Sequence, residues 1–166
     1  MQEQQVQTQP VDAFFESHEA RRESAKTLLG FSLVYLTGYF TDAPDSQRFP
    51  VGALKWAYPT TGNFIAVVGR IGEGRLVRTM KQAMRSVSSE HPVPVESINA
   101  PAWLPGVDFS DHRSYWRQGF PAVMITDTSF YRNPNYHQAT DLPDTLDYER
   151  MATVVRQVYA AVHALL

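Results

Sequence analysis

The residues with the most chemical capacity lie in one stretch, Ser110 to Tyr148. His137 follows Tyr136 there, with Asp141 and Asp144 four and seven positions on. Imidazole is the commonest metal ligand near neutral pH. Its second ring nitrogen needs an acceptor to fix the tautomer, a part either carboxylate can take. A loop histidine hydrogen-bonded to backbone is the plainer account of the same residues, and spacing alone favours it. Upstream, Ser110-Asp111-His112 has the residue types of a nucleophilic triad. Adjacent side chains diverge, however, and triads are defined by geometry. The triplet therefore reads as an N-cap serine followed by a polar first helical turn. The chain has no cysteine, which removes disulfides, thiolate ligands and cysteine nucleophiles. It also lacks a G-x-S-x-G elbow, an H-E-x-x-H pair, a P-loop and a G-x-G-x-x-G turn. His18 and His163 fall on expected helices and His91 precedes Pro92 in a turn, so all three read as structural. Trp56, Trp103 and Trp116 read as core or pocket-wall residues.

These residues need a frame. Val11 to Leu29 is an expected surface helix, capped by Asp12 and stopped by Gly30. Phe31 to Thr37 is rich in β-branched and aromatic residues and reads as a strand. Tyr39 to Gly62 holds prolines, glycines and turn formers and reads as a long irregular connection. Asn63 to Gly69 is apolar almost without interruption, the mark of a central strand buried on both faces. Gly72 to Ser88 is an amphipathic helix with Leu76, Val77, Met80, Ala83, Met84 and Val87 on one side. Val93 to Ile98 is a third strand and Asn99 to Asp108 a proline-bearing loop. A short helix runs from Ser110 to Gln118, ended by Gly119. Ala122 to Thr126 is a fourth strand, followed by the long polar loop and a closing helix from Asp147 to Leu166. Strand and helix alternate, which implies an α/β fold with a mostly parallel sheet between helices.

At 166 residues the chain is long enough for one domain with a core. Residues 1–10 read as a disordered polar leader and 11–166 as the domain. Apolar residues make up 43% and charged residues 19%, and the net charge is −2. That balance gives no electrostatic case for nucleic acid or an anionic membrane. The leader has no basic and apolar signal-peptide pattern, so a cytoplasmic location is the default expectation.

Several segments together carry a resemblance. They are Gly38-Tyr39-Phe40-Thr41-Asp42, Ser46-Gln47, Tyr58-Pro59, Gly62 to Gly69, Pro105-Gly106, Ser110-Asp111-His112, Thr126-Asp127-Thr128, Phe130 to Pro134, Tyr136-His137 and Asp144 to Tyr148. From about Phe14 onward the chain resembles the later half of the co-catalytic dizinc aminopeptidases, which also include glutamate carboxypeptidases and glutaminyl cyclases. The resemblance implies a three-layer α/β sandwich, a truncated zinc-exopeptidase fold. It implies that His137 matches a zinc ligand and Tyr136 a tyrosine that polarises the substrate carbonyl. Asp111 would lie near the site behind the ligands, and Asp144 in the loop that buttresses the histidine.

The departures from that family are large. Its early His-x-Asp motif, its metal-bridging aspartate and its glutamate general base lie upstream of the matched region. A further acidic ligand position is occupied here by Tyr35, and a neutral phenol replaces a carboxylate poorly on zinc. One matched ligand does not hold two metals. The expectation is a degenerate relative without peptidase activity, acting by binding or assembly, with no metal cofactor. The alternative is a metal-dependent exopeptidase with a rebuilt zinc site, using His137, Tyr136 and carboxylates from Asp42, Asp111 or Asp127. In a third version a second chain supplies the ligands. A homodimer or another chain is expected to cover an exposed sheet edge, and a peptide-like small molecule is a possible ligand.

Overall fold

The structure is a computed structural model that describes residues 33–34 and 37–165. Tyr35, the 1–10 leader and the expected Val11–Leu29 helix lie outside the described residues.

Among the described residues four strands form one sheet. They are β1 (Leu33–Val34), β2 (Ile65–Arg70), β3 (Val95–Ala100) and β4 (Val123–Thr126), in the order β1-β4-β2-β3. β1 pairs with β4 and β2 with β3 in parallel, while β2 and β4 run antiparallel, with Val67 opposite Ile125. The sheet is thus mostly parallel, as its alternation of elements implies, with one antiparallel seam at its centre. The unbroken apolar run is β2, and its first five residues are buried. Among the described residues three helices flank the sheet: α1 (Gly74–Arg85), α2 (His112–Arg117) and α3 (Tyr148–His163).

Each strand divides its side chains between two faces. Ile65 and Val67 of β2, with Val123 and Ile125 of β4, meet Val77, Met80 and Met84 of α1 and Val154 and Ala161 of α3. Ile125 is fully buried and by itself contributes roughly 1.5–3 kcal/mol. α1 approaches β2 at Gly69, where an added Cβ would stand 2.5 Å from Val77 Cγ2. On the opposite face Phe64, Ala66, Val68 and Met124 pack under Leu104, Val107 and Trp116. Helices α1 and α3, the sheet, and α2 with its loops are therefore three layers.

Some boundaries differ from the sequence reading, each for a local reason. β3 starts at Val95, two residues later than expected. Pro94 has no N–H to give a ladder, although its carbonyl accepts from Ile65 N at 2.8 Å. Ser110 does not cap α2. The cap position is Asp111, no side chain caps it, and Ser110 contributes its carbonyl to Arg113 N. Trp56 and Trp103 are neither core nor pocket wall, being 84% and 80% exposed. Trp56 ends a 3-10 turn (Gly52–Trp56) with Lys55 Nζ over its ring, and Trp103 sits in the turn after Pro101. Trp116 is in the core, its Nε1 donating to Ala122 O and Glu73 Oε2.

Candidate functional site

The chain leaves β4 at Thr126 and enters a tight turn. Thr128 and Ser129 both have left-handed backbone, with φ of 73° and 50°. For a β-branched threonine that conformation costs roughly 1–3 kcal/mol and needs support from its surroundings. The support is a buried polar hub. Asp127 is 3% exposed, and its two carboxylate oxygens accept from Tyr39 N at 2.9 Å and Ser129 N at 3.0 Å. Arg132, also buried, donates to Gln47 Oε1 at 3.0 Å and to Phe64 O at 2.8 Å. Thr128 Oγ1 donates to the same Gln47 oxygen. Burial pushes the Asp127 carboxyl up, against the pull of the backbone amides and Arg132. Burial likewise lowers Arg132 to about 10, so the guanidinium stays charged at neutral pH.

Two depressions flank this hub. One is an apolar groove of about 120 Å³, floored by Phe64, Ala66, Val68 and Met124 and walled by the Leu104–Val107 loop and Phe130. The other is a more polar cavity of about 440 Å³, lined among others by Asp127, Asn133, Asp141 and Leu146. Ser129 and Tyr136 line both. An aromatic run borders the groove. The rings of His137 and Tyr136 stack at 4.0 Å, Tyr136 and Phe130 stand 5.9 Å apart, and Phe130 and Phe109 6.1 Å.

The structure brings Tyr136, Asp127 and Asp141 to the polar cavity and leaves other candidates apart. His137 is exposed, has φ of 57° and lines neither depression. Neither nearby carboxylate is hydrogen-bonded to its ring. Asp141 takes a long bond from Asn133 Nδ2 at 3.4 Å, and Asp144 is exposed in a 3-10 turn (Pro143–Thr145). Asp111 is exposed on α2. Asp42 is tied to Arg150 Nη2 at 2.6 Å and Asn63 Nδ2 at 2.9 Å, and those bonds hold its carboxyl below the usual range. His112 is fully buried rather than a polar first-turn residue. Its Nε2 lies 2.6 Å from Val107 O, and its ring meets Trp116 edge-on.

Among the described residues no three of His, Asp or Glu form a group that could hold a metal ion. The described residues therefore do not fit a two-zinc centre. Sequence reasoning about function missed Arg132 and Gln47. The signal available was a charged residue and an amide bracketing apolar segments, which says nothing of burial until the chain is folded.

This arrangement is a mixed-sheet α/β domain with loop-built depressions after β4. The sequence profile of peptidase family M28 matches residues 67–162, more than half the chain. The chain belongs to peptidase family M28. It is 49% identical over 120 residues to the uncharacterized protein YfbL of Escherichia coli (strain K12), covering 72% of this chain and 36% of that protein. Over 47 residues it is 47% identical to a probable leucine aminopeptidase of Arthroderma otae, covering 28% of this chain and 13% of that one. Among solved structures it is similar to Legionella LapA, with a TM-score of 0.52 and 24% identity over 78% of this chain and 29% of LapA. The chain spans about a third of the length of YfbL and of LapA.

Proposed function

We propose that this chain binds a peptide-like ligand through an apolar side chain held in the groove, and does not hydrolyse peptide bonds by itself. The observation that carries this reading is the state of Asp127. It is the buried carboxylate of the polar cavity, and both its oxygens accept from backbone amides beside Arg132. Turning it toward a cation would leave two amides unpaired, at roughly 1–3 kcal/mol each. His137, the matched zinc ligand, stands exposed and has no such partner within a metal-holding group among the described residues. Family membership and the groove support the peptide-like ligand.

A second reading has its own support. The chain spans 36% of YfbL, so zinc ligands supplied by another chain or segment would complete a site that Tyr136 and His137 begin. In that reading hydrolysis belongs to the assembled protein. β1 ends the strand order among the described residues, and that edge is where we place a second copy or partner chain.

Elemental mass spectrometry of the purified chain, before and after zinc loading and with His137→Ala alongside, tests both readings. The expected result is no zinc that depends on His137 and no chelator-sensitive release of an N-terminal residue. One or two zincs lost in His137→Ala, with such release, would overturn the first reading. Release that appears on adding a partner chain would establish the second.

A further inference from the structure

The groove holds more information than its apolar floor. We propose that it selects an apolar side chain with a carboxylate beside it, and that Arg48 binds that carboxylate. This rests on the groove-binding reading above and adds a chemical class to it.

Size sets the apolar part. An apolar cavity of about 150 Å³ holds one benzene. An open groove of about 120 Å³ therefore takes one aromatic ring or one branched aliphatic side chain and excludes a larger hydrophobic cluster.

Accounting for the polar atoms sets the charge. Tyr58 Oη donates to Ser97 O and Tyr131 Oη to Pro105 O. Thr126 Oγ1 accepts from Thr128 N, and Thr128 Oγ1 donates to Gln47. Glu96 is neutralised by Lys81 Nζ at 3.0 Å. These wall groups have partners within the fold, so none of them demands one from a ligand.

Arg48 is different. Its backbone N donates to Tyr131 O at 2.8 Å, and Nη2 donates to Phe130 O at 3.0 Å. The second bond holds the exposed side chain against the aromatic wall while spending one of its five side-chain N–H donors. Among the described residues no carboxylate comes within ion-pair distance of it. A guanidinium held in place beside an apolar slot, with a face of donors unspent, matches a planar carboxylate through paired hydrogen bonds. Because the side chain is already anchored, little rotamer freedom is lost when the carboxylate arrives.

The carboxylate has two possible sources, the end of a peptide or a neighbouring acidic residue. Calorimetric titration of the full chain separates them. N-acetylphenylalanine is compared with N-acetylphenylalaninamide, and N-acetyl-aspartyl-phenylalaninamide with its asparaginyl counterpart. We expect one carboxylate probe to bind about tenfold or more tighter than its neutral partner, as a charge-assisted bond allows. Arg48→Met is expected to abolish that preference while leaving the neutral probe within about twofold, which also reports that the groove is folded. Arg48→Lys is expected to keep part of the preference, and Arg78→Met, at an exposed cation of α1, all of it. Equal binding of charged and neutral probes, or an undiminished preference in Arg48→Met, overturns the inference and leaves the groove reading standing. If no probe binds at all, the groove reading fails and takes this inference with it.

Discussion

At the scale of single residues, burial decides roles that residue type leaves open. His112 and His137 carry the same ring, yet one is sealed beneath the Leu104–Val107 wall and the other faces water. Burial holds His112 below the ordinary histidine value of 6.5, against smaller upward pulls from Val107 O, Asp108 and Asp111. The unfolded chain therefore binds the proton more readily than the fold does. Stability from this site is complete above pH 6.5 and is lost as pH falls from there toward the depressed folded value. The slope is at most about 1.4 kcal/mol per pH unit. Urea midpoints measured from pH 7.5 to 5 should fall in the wild type and lose that component of slope in His112→Gln. Gly62 gives a steric prediction. A Cβ there would stand 2.9 Å from Cγ, Cδ and Nε of Arg132. Arg132 is fixed by Gln47 and Phe64 and cannot swing aside freely. Gly62→Ala should cost roughly 1–3 kcal/mol in a denaturant melt, as overpacking does.

At the scale of elements, the site depends on how β4 and α3 bracket the long loop. α3 begins at a real cap, since Asp147 Oδ1 accepts from Arg150 N at 2.9 Å. The same residue's backbone N donates to Gly38 O, which ties the helix start to the strand-end segment after β1. Asp147→Ala should lower stability by about 1 kcal/mol in urea unfolding, and Asp147→Asn by less, because asparagine still caps. The central seam responds more strongly. Ile125 sits opposite Val67 with no exposure. Ile125→Ala should cost roughly 2–5 kcal/mol in the same experiment, by lost burial and an unfilled cavity. These elements were largely legible in the sequence, because β2, α1 and α3 carry strong apolar periodicity. Their ends were not, because the missing N–H of Pro94 and the Ser110 carbonyl bond to Arg113 N act through hydrogen-bond geometry rather than composition.

At the scale of the molecule, α1 and α3 cover one face of the sheet, and α2 with its loops covers the other. The apolar groove opens on the second face, beneath the Leu104–Val107 loop. Among the described residues no helix is long and apolar enough to cross a membrane. The position of β1 at the end of the strand order makes association a further proposal. If a second copy adds to that edge, light scattering across a dilution series should show a dimer, and disruption of β1 pairing should return a monomer. A concentration-independent monomer would remove that proposal.

The sequence by itself determined the α/β class, the central burial of β2, the amphipathic faces of α1 and α3, and kinship with the dizinc aminopeptidases. The class and the faces could be read because periodicity and turn chemistry are local and survive without coordinates, and the kinship because segments such as Ser110-Asp111-His112 and Tyr136-His137 resemble that family's. The candidate site was legible only as a stretch. That Asp127 is locked by Tyr39, eighty-eight positions away, and that Arg132 reaches Gln47, eighty-five away, are decisions of the tertiary structure. Hydrogen-bond partners across such distances are chosen by the packing of β4 against β2 and by the exclusion of water around the hub. The same packing separates the buried His112 from the exposed His137, a difference that no spacing along the chain expresses.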